Sequence, residues 1–184
     1  MTEKTDDPYS CFVAMDFETA DNGRDSACSV GVVKVENLSI TSSAHWYIRP
    51  PRRDFLFSWL HGITWEKVKN EPDFAGIWPE LAEFCSGASF IAAHNAPFDR
   101  GVLEACCSAA GLPRPEWPFR CTVRAARNVL CISPAKLDNV CRELSIELKH
   151  HDALSDASAC ARIMIEAIKK TAGGGALRSA YTNC

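Results

Sequence analysis

The chain has 184 residues, 47% apolar and 23% charged, with a formal net charge of −3. That length suits one domain with a substantial core, and the charge argues against tight, sequence-independent duplex binding through a large basic surface. The ten cysteines form no Cys-x-x-Cys pair, and Cys106, Cys141 and Cys160 sit among small apolar residues at helical spacing. Buried free thiols are therefore expected rather than a disulfide scaffold. No apolar run approaches the ~20 residues of a membrane span, and a soluble cytoplasmic protein is expected.

Residues 1–10 are polar and read as a disordered lead, residues 11–171 as the folded unit and residues 172–184 as a flexible tail, because Gly173-Gly174-Gly175 breaks the last helix. Three strands come first, Phe12–Glu18, Ala27–Val35 and Ala44–Ile48, each rich in β-branched, aromatic or small apolar residues. Pro50-Pro51-Arg52-Arg53 ends that run, and Thr64 is placed to cap a short helix. Phe74, Ile77, Trp78, Leu81 and Phe84 follow a helical stripe, and Phe90–Ala93 reads as a short buried strand. Pro97 suits the first turn of the next helix, which Gly111 ends. Leu137, Val140, Cys141 and Leu144 mark a further helix, and Ala153, Ala157, Cys160, Ala161, Met164 and Ile168 mark the last. Strands that lead and helices that follow or interleave predict a mixed α/β domain with helices on a central sheet.

Four segments carry chemistry. Asp16-Phe17-Glu18-Thr19 ends the first strand, where residues two apart share a face, so both carboxylates project together. Their repulsion calls for a cation, and hard divalent ions take oxygen ligands. His94-Asn95-Ala96-Pro97-Phe98-Asp99 follows a strand and puts Asp99 in a helix first turn, where a capping role would explain it taken alone. His150-His151-Asp152-Ala153-Leu154-Ser155-Asp156 opens the last helix. His151 and Asp156 can converge if His151 lies in the loop and Asp152 is the N-cap; His151 alone would read as a surface residue. His61-Gly62-Ile63-Thr64 is either a plain turn or a substrate-contact loop. Arg120, Arg124 and Arg127 at helical spacing predict one basic helix face, either solvated or tracking a phosphate backbone.

Together, Asp-Phe-Glu-Thr, His-Asn-Ala-x-Phe-Asp, His-Gly-Ile-Thr and His-x-Ala-x-x-Asp resemble the DEDDh family of 3′–5′ exonucleases, the proofreading group of the ribonuclease H-like superfamily. The resemblance runs from Asp16 to Asp156 and implies a single domain with a ribonuclease H-like mixed central sheet flanked by helices. The sister subgroup has a tyrosine four residues before the last acid; that position here is Asp152, and His151 lies five before, which matches the histidine subgroup.

The resemblance implies Asp16, Glu18, Asp99 and Asp156 as ligands for two divalent cations, Mg²⁺ or Mn²⁺. Asp16 would bridge both ions, Glu18 and Asp156 would support one, and Asp99 would act mainly through water. His151 would be the general base, since an imidazole with a pKa of about 6.5 is neutral above that pH. Thr19, Ala20, His61, Ile63, Asn95 and Phe98 would contact the terminal nucleotides. The implied reaction is two-metal hydrolysis of the terminal phosphodiester at a 3′ end, releasing nucleoside 5′-monophosphates. Single-stranded DNA is the first choice, because the flanking sequence is most similar to the polymerase-III epsilon-like branch; a DNA polymerase or another replication or repair protein would be a partner. An RNA exonuclease of the oligoribonuclease or ribonuclease T type shares the same acids, and the choice rests on treatment of the 2′-hydroxyl. A catalytically inactive nucleic-acid-binding or polymerase-adaptor module would be expected to lack a ligand, and none is lacking. An unrelated small-molecule metallohydrolase would leave the histidine motifs unexplained.

Overall fold

The computed structural model describes residues 9–172. Most of the expected lead and tail therefore lies outside the described residues. Tyr9 and Ser10, at the end of that lead, are held: the Ser10 carbonyl accepts the Asn37 N–H at 2.8 Å, and Tyr9 meets the Phe90 ring edge-on at 6.1 Å.

Five strands form one sheet in the order β3-β2-β1-β4-β5. Strands β1 (Cys11–Thr19), β2 (Ala27–Glu36) and β3 (Ser39–Tyr47) make an antiparallel meander, while β4 (Ile91–Ala93) and β5 (Phe119–Cys121) run parallel to β1. The helices are α1 (Ser58–His61), α2 (Trp65–Val68), α3 (Phe74–Phe84), α4 (Ala96–Ala109), α5 (Thr122–Ala125), α6 (Leu137–Glu143) and α7 (Ala153–Ala172). A π-helical turn at Ala126–Leu130 continues α5. The sheet and flanking helices are the mixed α/β domain expected from the element pattern.

Strand alternation divides the core. Phe12 and Ala14 of β1 pack with Ala157, Cys160, Ala161 and Met164 of α7 on one face. Val13, Met15 and Phe17 pack on the other face with Ile77 and Leu81 of α3 and Val102 and Leu103 of α4. Phe12 and Phe90 stack at 4.9 Å in the α7 layer. Fully buried side chains of this size stabilise by about 1.5–3 kcal/mol each, so both layers fix β1 from above and below. All nine cysteines among the described residues are free, as expected. No helix among those residues is long and apolar enough to cross a membrane.

Three features differ from expectation. β3 begins at Ser39 rather than Ala44, because its polar first half pairs through the backbone with β2 while its side chains face solvent. β5 was not expected: a three-residue strand has no usable periodicity, and it exists because Ile91, Ala92 and Ala93 supply its pairing partners. Arg120 consequently lies on β5 and not on a helix, with its guanidinium over Phe90 at 4.4 Å and Tyr9 at 4.7 Å. The expected face of Arg120, Arg124 and Arg127 is therefore not one helix face.

Candidate active site

Asp16 and Glu18 occupy the same side of β1 as Phe12 and Ala14, by strand alternation. Where the core gives out at the strand end, that side turns from apolar to acidic beside the start of α7. Gly31 of β2 is the register partner of Asp16, and a Cβ there would overlap the Ala153 carbonyl of α7. The missing side chain lets α7 descend onto the sheet and brings Asp156 to the β1 acids.

The loop before α7 is built around Asp156. His151 adopts φ +65°, and its N–H donates to Asp156 Oδ2 at 3.1 Å. The His150 Nδ1 meets the same oxygen at 3.0 Å, and the two imidazoles stack at 3.9 Å. Asp152 caps α7, its Oδ1 accepting the Ser155 N–H at 3.1 Å. His151 therefore lies in the loop ahead of the capped helix, the arrangement in which it can approach Asp156. Asp156 Oδ1 is the one buried side-chain polar atom without a hydrogen bond among the described residues.

Asp99 reaches the site from α4. Asn95 takes the left-handed conformation before that helix, which asparagine tolerates. Asp99 is 1% exposed, and its Oδ1 accepts the Phe17 N–H at 3.0 Å, so it anchors α4 to β1 between Asp16 and Glu18.

Ligand oxygens of Asp16, Glu18 and Asp156 all lie within 4.8 Å of one another. Burial, then the charges of Asp99, Asp156 and Glu18, push Asp16 well above the ordinary carboxylate range. Burial, then Asp156 and Asp152, raise Glu18 to about 7. Burial also raises Asp99, against the opposing Phe17 N–H, and raises Asp156, against its bond to His150. Burial followed by His150 lowers His151, which favours its neutral, proton-accepting form. Burial and mutual repulsion outweigh the opposing charges of His150 and His151 at Asp156 and of Arg24 at Asp99. The set of hard oxygens and the orphaned Asp156 Oδ1 fit a divalent metal ion.

The acids line a cavity of about 960 Å³ whose wall includes Phe57, Leu60, His94, Arg127 and Lys136. His94 is pinned by Thr122 Oγ1 at 2.8 Å and the Ala135 carbonyl at 3.0 Å, and burial lowers its pKa to about 4.

The family model described as Exonuclease (RNase_T) matches residues 13–164. The chain belongs to this Exonuclease family. Similar curated proteins include the PolC-type DNA polymerase III of Caldanaerobacter subterraneus subsp. tengcongensis, 31% identical over 86% of this chain and 12% of the polymerase. The 3′-5′ exonuclease DinG of Bacillus subtilis is 32% identical over 86% of this chain and 18% of DinG. The DNA polymerase III subunit epsilon of Rickettsia felis is 32% identical over 74% of this chain and 63% of that subunit. The chain thus spans less than two thirds of each of these relatives. Among solved structures, the nuclease domain of 3′hExo, a DEDDh family member bound to rAMP, superposes with a TM-score of 0.75 at 19% identity, covering 95% of this chain and 97% of that one. Exonuclease X in complex with 5′ overhanging duplex DNA gives 0.72 at 22% identity, over 88% and 93% of the two chains. Both show the fold, and the expected DEDDh resemblance stands.

Within this Exonuclease domain, Thr19, His61, Asn95 and Phe98 line the acid cavity, as do Asp16, Glu18, Asp99, His151 and Asp156. Ala20 and Ile63 do not: both are buried with Cys28 and Val68 in a small apolar cluster, and Ile63 borders an adjoining smaller pocket with His61, His150 and His151. Ala20 acts instead through its carbonyl, which accepts the Leu56 N–H at 2.7 Å and the Phe57 N–H at 3.3 Å. His61 is oriented by the Thr19 carbonyl at 3.2 Å and by the Ile63 N–H donating to its Nδ1 at 3.0 Å. Arg127, expected on a basic face, also lines the cavity, whereas no motif in the sequence points to Gly31, Phe57 or Lys136 as site residues. A lone glycine inside Ser29-Val30-Gly31-Val32 was the available signal for a close backbone approach.

Proposed function

We propose that this chain is a metal-dependent 3′–5′ exonuclease that hydrolyses the terminal phosphodiester at a nucleic-acid 3′ end and releases nucleoside 5′-monophosphates. The observation that carries it is the convergence of Asp16, Glu18 and Asp156 within 4.8 Å, with Asp156 Oδ1 left unpartnered. Asp16, Glu18 and Asp156 would hold two Mg²⁺ or Mn²⁺ ions, with Asp99 contributing through water. Bound ions of this kind lower the pKa of a water and stabilise the leaving 3′ oxygen.

The chain's own groups divide the remaining work. His151, in its neutral form, accepts the proton of the attacking water. His150 and the His151 N–H hold Asp156 through Oδ2, leaving Oδ1 for the site. Asp99 holds the two walls at a fixed separation through Phe17. Thr19, His61, Asn95 and Phe98 contact the last nucleotides. Single-stranded DNA is the preferred substrate in this reading, supported by the similarity to polymerase-associated and DinG exonucleases. The same names support a replication or repair partner in the cytoplasm.

The test uses 5′-labelled single-stranded DNA, duplex DNA and RNA of one sequence, with Mg²⁺, Mn²⁺ or chelator. A ladder shortening from the 3′ end, fastest on single-stranded DNA and absent in chelator and in Asp16→Ala, is expected. Full activity in chelator would overturn the metal mechanism, and faster loss of RNA would move the substrate to the ribonuclease side.

A further inference from the structure

Beside the acid cavity lies an apolar strip to which none of the catalytic roles above extends. Trp59 is 79% exposed, Leu56 55% and Leu60 37%. Single exposed apolar residues are ordinary, but contiguous ones mark contact sites. Here Trp59 and Leu60 sit on the short helix α1, and Leu56 lies in the turn that leads into it. The turn is closed by the Leu60 N–H to the Phe57 carbonyl at 2.9 Å and the Gly62 N–H to the Ser58 carbonyl at 2.8 Å. Leu60 and Phe57 themselves line the cavity, so the strip is continuous with its wall.

Two features of the same cavity say what kind of ligand would cover the strip. Arg127 and Lys136 stand on its wall, both exposed, and neither has an ion-pair partner among the described residues. A ligand matching both features presents flat apolar faces to Trp59 and anionic groups to the two cations. Unpaired nucleic acid does so, because each base offers a π-face and each linkage a negative charge. A duplex hides its base faces except at the end.

We propose that Trp59, with Leu56 and Leu60, is a stacking platform for the bases of a single strand on the 5′ side of the terminal nucleotide. The inference rests on the exonuclease reading and adds a binding track that makes affinity depend on strand length. Base stacking on an aromatic side chain tolerates every base, so the track would carry no sequence preference.

The test measures binding of oligothymidylates of two, four and eight nucleotides, each ending in a phosphorothioate linkage that slows cleavage, by fluorescence anisotropy with Mg²⁺. The wild-type protein should bind the longer strands more tightly than the dinucleotide. Trp59→Ala should weaken the eight-nucleotide strand about tenfold and flatten the length dependence, whereas Trp59→Phe keeps most of it. Equal weakening at every length, or no weakening, would overturn the platform. So would a change in sedimentation of Trp59→Ala without a change in binding, which would assign the strip to a second copy of the chain. Hydrolysis without a length step would count against the platform alone; a length step without hydrolysis would support the platform and count against the exonuclease reading. Because Trp59 is largely exposed, the variant should fold, and its melting temperature checks this.

Discussion

Two acid clusters sit at the end of β1, three residues apart in sequence, and they have been given opposite surroundings. Asp21 and Asp25, in the β1–β2 loop, share one cation. The Arg52 guanidinium donates to Asp21 at 2.9 and 3.1 Å and to Asp25 at 2.6 and 2.8 Å. Hydrogen bonds from Arg52 hold both carboxyls below their ordinary range. Asp16, Glu18 and Asp156 share no arginine or lysine among the described residues; Asp156 meets His150 at 3.0 Å, yet burial drives all three upward. The first cluster is satisfied within the chain and ties the loop to the segment that carries α1. The second is crowded and buried, which folding alone does not favour; the proposed external cation would offset it.

The largest contrast should come from removing one acid of the unsatisfied cluster. Asp16→Ala should reduce single-turnover cleavage by about a thousandfold or more, since a metal site contributes several kcal/mol to the transition state. In chelator the same variant should melt no lower than wild type, because a repelling charge has been taken away. A melting temperature that drops sharply in chelator would mean Asp16 is a structural residue.

Gly31→Ala should have the next largest effect. The new methyl meets the Ala153 carbonyl, so α7 must lift and carry Asp156 and His151 away from β1. Misplacement on the order of 1 Å costs about a hundredfold in rate, and the variant should show that loss together with a lower melting temperature. Unchanged activity would mean that α7 is not held in place by this contact.

This residue also shows where the sequence was legible. Strand alternation aims Asp16 and Glu18 together, whereas Asp99, His151 and Asp156 stand out only when their motifs are taken together with that pair. Gly31 and Arg52 act across distances that no local pattern reports: Gly31 meets a carbonyl 122 residues on, and Arg52 meets Asp21 across 31 residues. β5 and the true place of Arg120 depend on pairing with β4 and packing on Tyr9 and Phe90. Ala20 and Ile63 are expected at the substrate from the resemblance alone; Ala20 lies one residue and Ile63 two residues from a side chain that lines the cavity, and both turn into an apolar cluster.

The two clusters should also answer pH with opposite sign in metal-free protein. Glu18, raised to about 7, favours the fold below its unfolded value of about 4. That contribution is lost as pH rises through 7. Asp21 and Asp25, lowered, favour the fold above about 4 and lose that contribution as pH falls through their folded values. Thermal melts in chelator should therefore weaken from pH 5 to pH 8, and the weakening should shrink when Glu18 is replaced by Gln. Melts that strengthen over this range would break the contrast.

The smallest effect should come from Arg52→Ala. Its side chain is 40% exposed, so solvent screening limits the loss to about 1 kcal/mol, visible as a melting temperature a few degrees lower with cleavage reduced modestly. The lower melt should be present with and without metal, unlike any change made in the unsatisfied cluster.

Calorimetric titration of Mn²⁺ into the chelator-treated protein at pH 8 tests the difference between the clusters most directly. Two ions bound per chain by the wild type, with binding lost in Asp16→Asn and retained in Arg52→Lys, is the expected result. A wild-type protein that binds no Mn²⁺, or an Asp16→Asn variant that binds it as well as wild type, would contradict a metal site on the acids at the end of β1.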